Sequence, residues 1–298
     1  MSWRAEILRW SLAVLKGRQG NRAIPPRQAR RRLKLIERIV PGPPGGTQTT
    51  AVDAGGVPSV RIAVPEARKD RCVLYFHGGG YVIGSAALYR DFTWRIGRAA
   101  RASVLFVDYR FAPEHPFPAA LDDAFNAYRW LADQFDPRRM AFVGDSAGGG
   151  LALAALLKLR DEGQALPAAA VALSPWTDLA LTGPSLHSNA TADPVLEMSR
   201  VIKHSHDYLA GADPRHPYAS PLYGDASGLP PTLIQVGSDE MLRDDSVRMA
   251  EKLKAAGCEV EIDIWPRLPH GWQLYARILP EGRQAIERIG AFLEKRMS

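Results

Sequence analysis

Cysteine is nearly absent: Cys72 and Cys258 are the only two in 298 residues. Both fall in stretches of strand character, so the expectation is buried free thiols and no disulfide framework. That suits a reducing compartment, and a cytoplasmic location is expected. No apolar run is long enough to span a membrane. Arg9 interrupts the apolar stretch at the N-terminus and no small-residue cleavage site follows, which argues against a secretory leader. Internal repeats and low-complexity tracts are missing. So is any convincing metal-ligand pattern: His204 and His206 are close in sequence but lack a set of partners, and no metal or cofactor is expected. Acidic residues are scarce in one place. Residues 1–40 hold eleven Lys/Arg against two acids, Glu6 and Glu37, a net of +9 in a chain whose total is +6, so the remainder carries −3. Such an arm suits a polyanion or an anionic membrane. No DNA- or RNA-binding motif accompanies it, and the expectation is a solvated helix face with no nucleic-acid partner.

What is present is the make-up of a globular chain, with 46% hydrophobic and 23% charged residues. Trp3, Ile7, Trp10 and Val14 recur every three or four residues, with Leu8, Leu12 and Leu15 beside them, and predict an amphipathic helix. A second, basic helix is expected after Pro25-Pro26, with Leu33, Ile36 and Ile39 on one side. Pro41 to Gly46 then breaks structure, so residues 1–45 read as an N-terminal segment. Beyond it strands alternate with helices. Strands are expected near 48–53, 58–64, 71–76, 103–108, 139–144, 168–173, 231–236 and 258–265. Helices are expected near 87–101, 119–135, 147–161, 242–256 and 282–296. Continuous apolar strands, such as Val73 to Phe76 and Val104 to Val107, suit a parallel sheet covered on both faces. The first two strands have no helix between them and predict an antiparallel edge. The fold class is therefore α/β: an eight-stranded, mostly parallel sheet flanked by helices. Residues 180–225 are too long for a simple crossover and read as an insertion over the C-terminal edge of the sheet, where open α/β folds bind ligands. The body then comprises 46–179 and 226–298.

The chemistry concentrates in a few segments. Gly144-Asp145-Ser146-Ala147-Gly148 follows an apolar strand and precedes a helix-forming run, the context that a nucleophile elbow requires. The helix N-terminus aims free N–H groups at the serine. His77-Gly78-Gly79-Gly80 follows a central strand, and its glycines let backbone amides approach a developing oxyanion. The amides of Gly78, Gly79 and Ala147 are assigned that role. A serine needs a base. Of seven histidines, only His270 follows a late strand and can close the order serine, acid, histidine that elbow hydrolases use. The acid must lie between Ser146 and His270. Asp239 ends an apolar strand and tight turn and is preferred; Asp244 and Asp245 are its rivals, but they sit where the next helix begins, where acids commonly cap.

These motifs resemble the hormone-sensitive-lipase-like branch of the α/β-hydrolases, the bacterial family IV esterases. The resemblance is carried by His77 to Gly80, Asp108 to Ala120, Gly144 to Gly149, Ser174-Pro175-Trp176, Asp239 to Asp244 and His270-Gly271, and spans nearly all of the body. It implies a helical cap built from the N-terminal segment and the 180–225 insertion, hydrolysis of short acyl esters without a cofactor, a small-molecule ester as partner, and frequent homodimers. Ser146, Asp239 and His270 fall on the family's triad positions, and Gly78, Gly79 and Ala147 on its oxyanion-hole positions. Phe111 stands where Leu is usual, and Glu240-Met241 replaces the usual Pro-Leu. Two other functions use the same fold: a ligand receptor resembling the plant gibberellin receptors, which lack the triad histidine, and an amidase using the same triad. The complete triad favours an enzyme over a receptor. The N-terminal stripe is expected to dock on the body as part of the cap, with its cations left on the solvent side.

Overall fold

The apolar runs read as strands all enter one sheet. The computed structural model describes residues 1–19 and 24–297. Residues 20–23, within the expected N-terminal segment and including Arg22, lie outside the described residues. Two helices come first, α1 (Trp3–Gln19) and α2 (Pro26–Glu37). The strands β1 (Gln48–Asp53), β2 (Pro58–Ala63), β3 (Arg68–Phe76), β4 (Ala102–Val107), β5 (Met140–Asp145), β6 (Ala169–Leu173), β7 (Thr232–Gly237) and β8 (Val260–Trp265) follow. Between and after them run α3 (Ala86–Ala100), α4 (Ala119–Ala132), α5 (Ala147–Asp161), the short α6 (Ser185–Ser188), α7 (Met198–Leu209), α8 (Arg243–Ala255) and α9 (Pro280–Arg296). The strand order is β1-β2-β4-β3-β5-β6-β7-β8. β2 pairs antiparallel with β1 and β4, and β4 through β8 pair parallel by way of β3. This is the expected eight-stranded sheet with its antiparallel edge.

Strand periodicity divides the core in two. Successive side chains of a strand point to opposite faces. On β3, Leu74 and Phe76 join a cluster with Leu121 and Phe125 of α4, Leu151 of α5 and Met249 of α8. Val73 and Tyr75 join the opposite cluster, with Phe92 and Ile96 of α3 and Ile289 and Phe292 of α9. Both faces are thus sealed, which is why β3, β4 and β5 tolerate unbroken apolar sequence.

The register decides where chemistry collects. Phe76 pairs with Gly144, and Asp145 with Leu173. The loops after β3, β5 and β6 therefore emerge side by side at the C-terminal edge, and the loops after β7 and β8 join them. The insertion lies at this edge: Asn189 Nδ2 donates to the carbonyls of Ser238 and Glu240 at 3.1 and 2.9 Å, and α7 lays Tyr208 on Tyr81 with ring centroids 3.7 Å apart.

The N-terminal helix docks, but through a different face from the one expected. Ala5 and Leu8, with Leu12 beside them, pack on Leu268, Trp272 and Leu279. Trp3, Ile7 and Trp10 of the predicted stripe stay 68%, 54% and 69% exposed. The body offers its complementary surface to the Ala5-Leu8-Leu12 row, and that contact sets the rotation of the helix. The second helix buries none of its residues. It is held by polar contacts: Arg30 donates to the carbonyls of Val82 and Ala112 at 2.7 and 2.8 Å and to Glu114 at 2.8 Å. Cys72 and Cys258 are free thiols, and among the described residues no helix is long and apolar enough to cross a membrane.

Candidate active site

Ser146 sits at the tip of the turn between β5 and α5 with φ of 53°, a left-handed conformation that costs a non-glycine residue energy. The turn is held from both sides: the Ser146 amide donates to the Leu173 carbonyl at 2.8 Å, and its carbonyl accepts from Gly150 and Trp176 at 3.1 and 2.9 Å. The flanking glycines are a steric necessity. A Cβ on Gly144 would lie 2.2 Å from the Gly148 carbonyl oxygen, and one on Gly148 would lie 2.0 Å from that of Phe76. Gly148→Ala is accordingly expected to destabilise the fold by about 1–3 kcal/mol through overpacking against β3, read as a lowered unfolding midpoint in urea; an unchanged midpoint would contradict this account of the elbow.

His270 follows β8 and is 8% exposed. Its Nδ1 lies 2.8 Å from Oε2 of Glu240, which is fully buried. The other carboxylate oxygen of Glu240 accepts from Ser174 Oγ at 2.8 Å and from the Gly237 amide at 2.6 Å. Burial works against the charged imidazolium, but the hydrogen bond and charge of Glu240 outweigh it and raise the His270 pKa above its ordinary 6.5. Asp193 of the insertion steadies the same turn, accepting from the Met241 amide at 2.9 Å and from the Val195 and Leu196 amides at 2.8 and 3.0 Å.

The expectation for Asp239 is corrected by this geometry. Its carboxylate points away from the imidazole, accepting from Arg9 at 2.7 Å and from Ser238 Oγ at 2.8 Å. The tight turn after β7 sends Asp239 outward to α1 and folds Glu240 back beneath His270. The rivals are also occupied. Asp245 accepts from the Thr177 and Asp178 amides at 2.8 and 2.9 Å, and burial pushes its pKa up to about 8. Asp244 accepts from the Ser185 amide at 2.8 Å. Glu240 was visible in the sequence only as an unexplained acid in place of the usual proline.

Gly78 is the second correction. Its amide donates to Asp145 Oδ1 at 2.8 Å and to Tyr89 Oη at 3.1 Å, so it is engaged with the elbow's own aspartate. Asp145 also accepts from Tyr75 at 2.6 Å and ties the glycine loop to the elbow. Gly79 and Gly80, one and two residues on, line a cavity of about 280 Å³ together with Ser146 and His270. The amides of Gly79, Gly80 and Ala147 donate to no group among the described residues. His77 supports the loop from below. It stacks on Tyr109 with ring centroids 4.3 Å apart, and burial lowers its pKa to about 4, which keeps it neutral. The cavity's remaining wall includes Leu196, Val201 and His204 from the insertion; of these the sequence drew attention only to His204, and only as an unconvincing metal ligand.

This combination defines a class: a serine at an elbow, an imidazole backed by a buried carboxylate, and free amides around one cavity on an α/β sheet. The family model of the alpha/beta hydrolase fold matches residues 73–274. An acetyl-hydrolase of Streptomyces hygroscopicus is 50% identical over 232 residues, 77% of this chain and 78% of that one. An esterase of Acinetobacter venetianus is 35% identical over 272 residues, covering 90% and 88% of the two chains. A crystal structure of an esterase from the bacterial hormone-sensitive lipase family superposes with a TM-score of 0.94 at 45% identity, over 100% of this chain and 99% of that one. The chain belongs to the α/β-hydrolase family, in its hormone-sensitive-lipase-like, family IV carboxylesterase branch. It is a carboxylic ester hydrolase.

Proposed function

We propose that the protein hydrolyses short-chain carboxylic esters through an acyl-serine, with Ser146, His270 and Glu240 as the triad and the amides of Gly79, Gly80 and Ala147 as the oxyanion hole. The 2.8 Å contact between His270 Nδ1 and Glu240 carries this reading. A carboxylate on Nδ1 fixes the tautomer that leaves Nε2 free to accept a proton, and it stabilises the imidazolium that results. Ser146 Oγ attacks the ester carbonyl as His270 takes its proton. The three amides hold the oxyanion, a function whose loss costs about 3 kcal/mol per donor in a comparable site. His270 then protonates the departing alcohol. Water, deprotonated by the same histidine, attacks the acyl-serine and releases the acid. A cavity of about 280 Å³ supports a short acyl group.

The base must be neutral to work, so kcat/KM is expected to rise with pH and level off, with its midpoint above 6.5 because Glu240 raises the His270 pKa. Removing the negative charge with Glu240→Gln should move the midpoint of the residual activity downward. A pH–rate profile settles both signs; a midpoint that does not move would contradict the pairing.

The cap remains part of the proposal: α1, α2 and the 180–225 insertion cover the site. Its support is the bracing of α1, where Lys16 Nζ donates to the carbonyls of Ala190 and Asp193 at 3.2 and 2.7 Å and Arg9 holds Asp239. Deleting residues 1–40 is expected to lower solubility by exposing Leu268 and Trp272, and to raise KM for a soluble aryl ester. A truncated enzyme with normal kinetics that has lost only binding to anionic vesicles would show the arm to be a tether. The free thiols support a reducing, cytoplasmic setting. The open edge of β8, with Ile262 and Ile264 exposed, is the candidate face for a homodimer.

A further inference from the structure

Beside the catalytic cavity lies a second one that the mechanism leaves unused. It occupies about 360 Å³ between α2 and the loop after β3, and its apolar lining comes from Pro26, Ala29, Leu33, Ile36 and Val82. Three residues line both cavities: Ile83, Arg200 and His204. They form the partition. His204 occupies its catalytic side closely. A Cβ on Gly80 would lie 2.3 Å from His204 Nδ1, so the imidazole rests directly on the glycine loop.

We propose that the chamber under α2 is a latent hydrocarbon subsite of the ester pocket, and that His204 is the specificity-determining residue that closes it off and limits the length of chain the enzyme accepts. This rests on the reading of Ser146 as nucleophile, because the chamber matters only as an extension of the cavity that Ser146 lines. The partition's chemistry fits such a role. Burial holds the His204 pKa down to about 4, so the ring is neutral at physiological pH and presents a flat, uncharged wall to the substrate. Beyond it the lining is mostly aliphatic, with Arg32 the one charged side chain besides the shared Arg200, which favours methylene groups along most of its length. A short acyl or alkyl chain fits in front of the wall, and a longer one meets it. Without the imidazole the chain runs on toward Leu33 and Ile36. Each methylene moved from water into fully apolar surroundings is worth at most roughly a factor of four in affinity, and less near Ile36, which is 46% exposed.

The test compares kcat/KM for p-nitrophenyl octanoate with that for p-nitrophenyl butyrate. In His204→Ala this ratio is expected to rise about tenfold or more over wild type. Adding Ala29→Trp, which fills the chamber from α2, should return the ratio to about the wild-type value. Ile83→Ala opens the same partition from its other side and should raise the ratio if His204→Ala does not fold. A folded, butyrate-active His204→Ala with an unchanged ratio overturns the proposal, and so does a gain that survives Ala29→Trp. Ser146→Ala in the His204→Ala background separates the two levels. Loss of activity on both esters keeps the nucleophile, so an unchanged ratio then counts against the wall alone, whereas persistent hydrolysis refutes the nucleophile and with it the subsite that rests on it.

Discussion

Ser146→Ala is expected to lower kcat/KM for a short aryl ester by about four orders of magnitude or more, with little change in the unfolding midpoint. The asymmetry follows from what each atom of Ser146 does. The elbow is fixed by backbone groups: the amide on Leu173 and the carbonyl accepting from Gly150 and Trp176, all of which alanine keeps. The strained φ of 53° is shared by the two residues and does not select between them. Only the hydroxyl is lost, and it is the group that forms the covalent bond. Single knockouts of a triad member remove nearly the whole benefit of the triad, because its parts act as a unit. What survives is the smaller contribution of the oxyanion hole and binding. Turnover near that of wild type would refute the assignment of the nucleophile.

The second large effect separates two adjacent acids. Glu240→Gln is expected to reduce kcat by roughly 10²–10⁴, because an amide cannot stabilise the imidazolium and can hold the ring in the wrong tautomer. Asp239→Asn is expected to change kcat by less than about threefold. Asp239 pairs with Arg9 of α1 in a part-buried contact and makes no hydrogen bond to His270 among the described residues, so its charge does not hold the imidazole. Steady-state kinetics on the two variants reads the contrast directly. If the order is reversed, the turn after β7 acts through Asp239.

Most of the architecture could be read from the chain because it depends on patterns that survive averaging. The apolar runs within β3 to β6 are unbroken since both sheet faces are covered, and the glycines at 144 and 148 are dictated by atoms 2.2 and 2.0 Å away. The choice between Asp239 and Glu240 was not legible. It depends on how a two-residue turn rotates, and the longer side chain of Glu240 is what allows it to reach back under His270. Motif position favoured Asp239, while burial and the donors Ser174 and Gly237 favoured its neighbour. Gly78 failed for a similar reason. In a run of three glycines the sequence does not show which amide is already taken, and Asp145 takes the first. In α1 the most conspicuous apolar residues, Trp3, Ile7 and Trp10, face outward. The contact with Leu268 and Trp272, from a segment more than 250 residues away, selected the less obvious row.

In the proposed mechanism Ser146 is made nucleophilic by His270 backed by Glu240. The most direct measurement is the rate at which a fluorophosphonate labels the protein, with the modified peptide located by mass spectrometry. One label per chain is expected on Ser146, at a similar rate in wild type and Asp239→Asn and far more slowly in Glu240→Gln. Labelling at any other residue, or equal rates in wild type and Glu240→Gln, would contradict it.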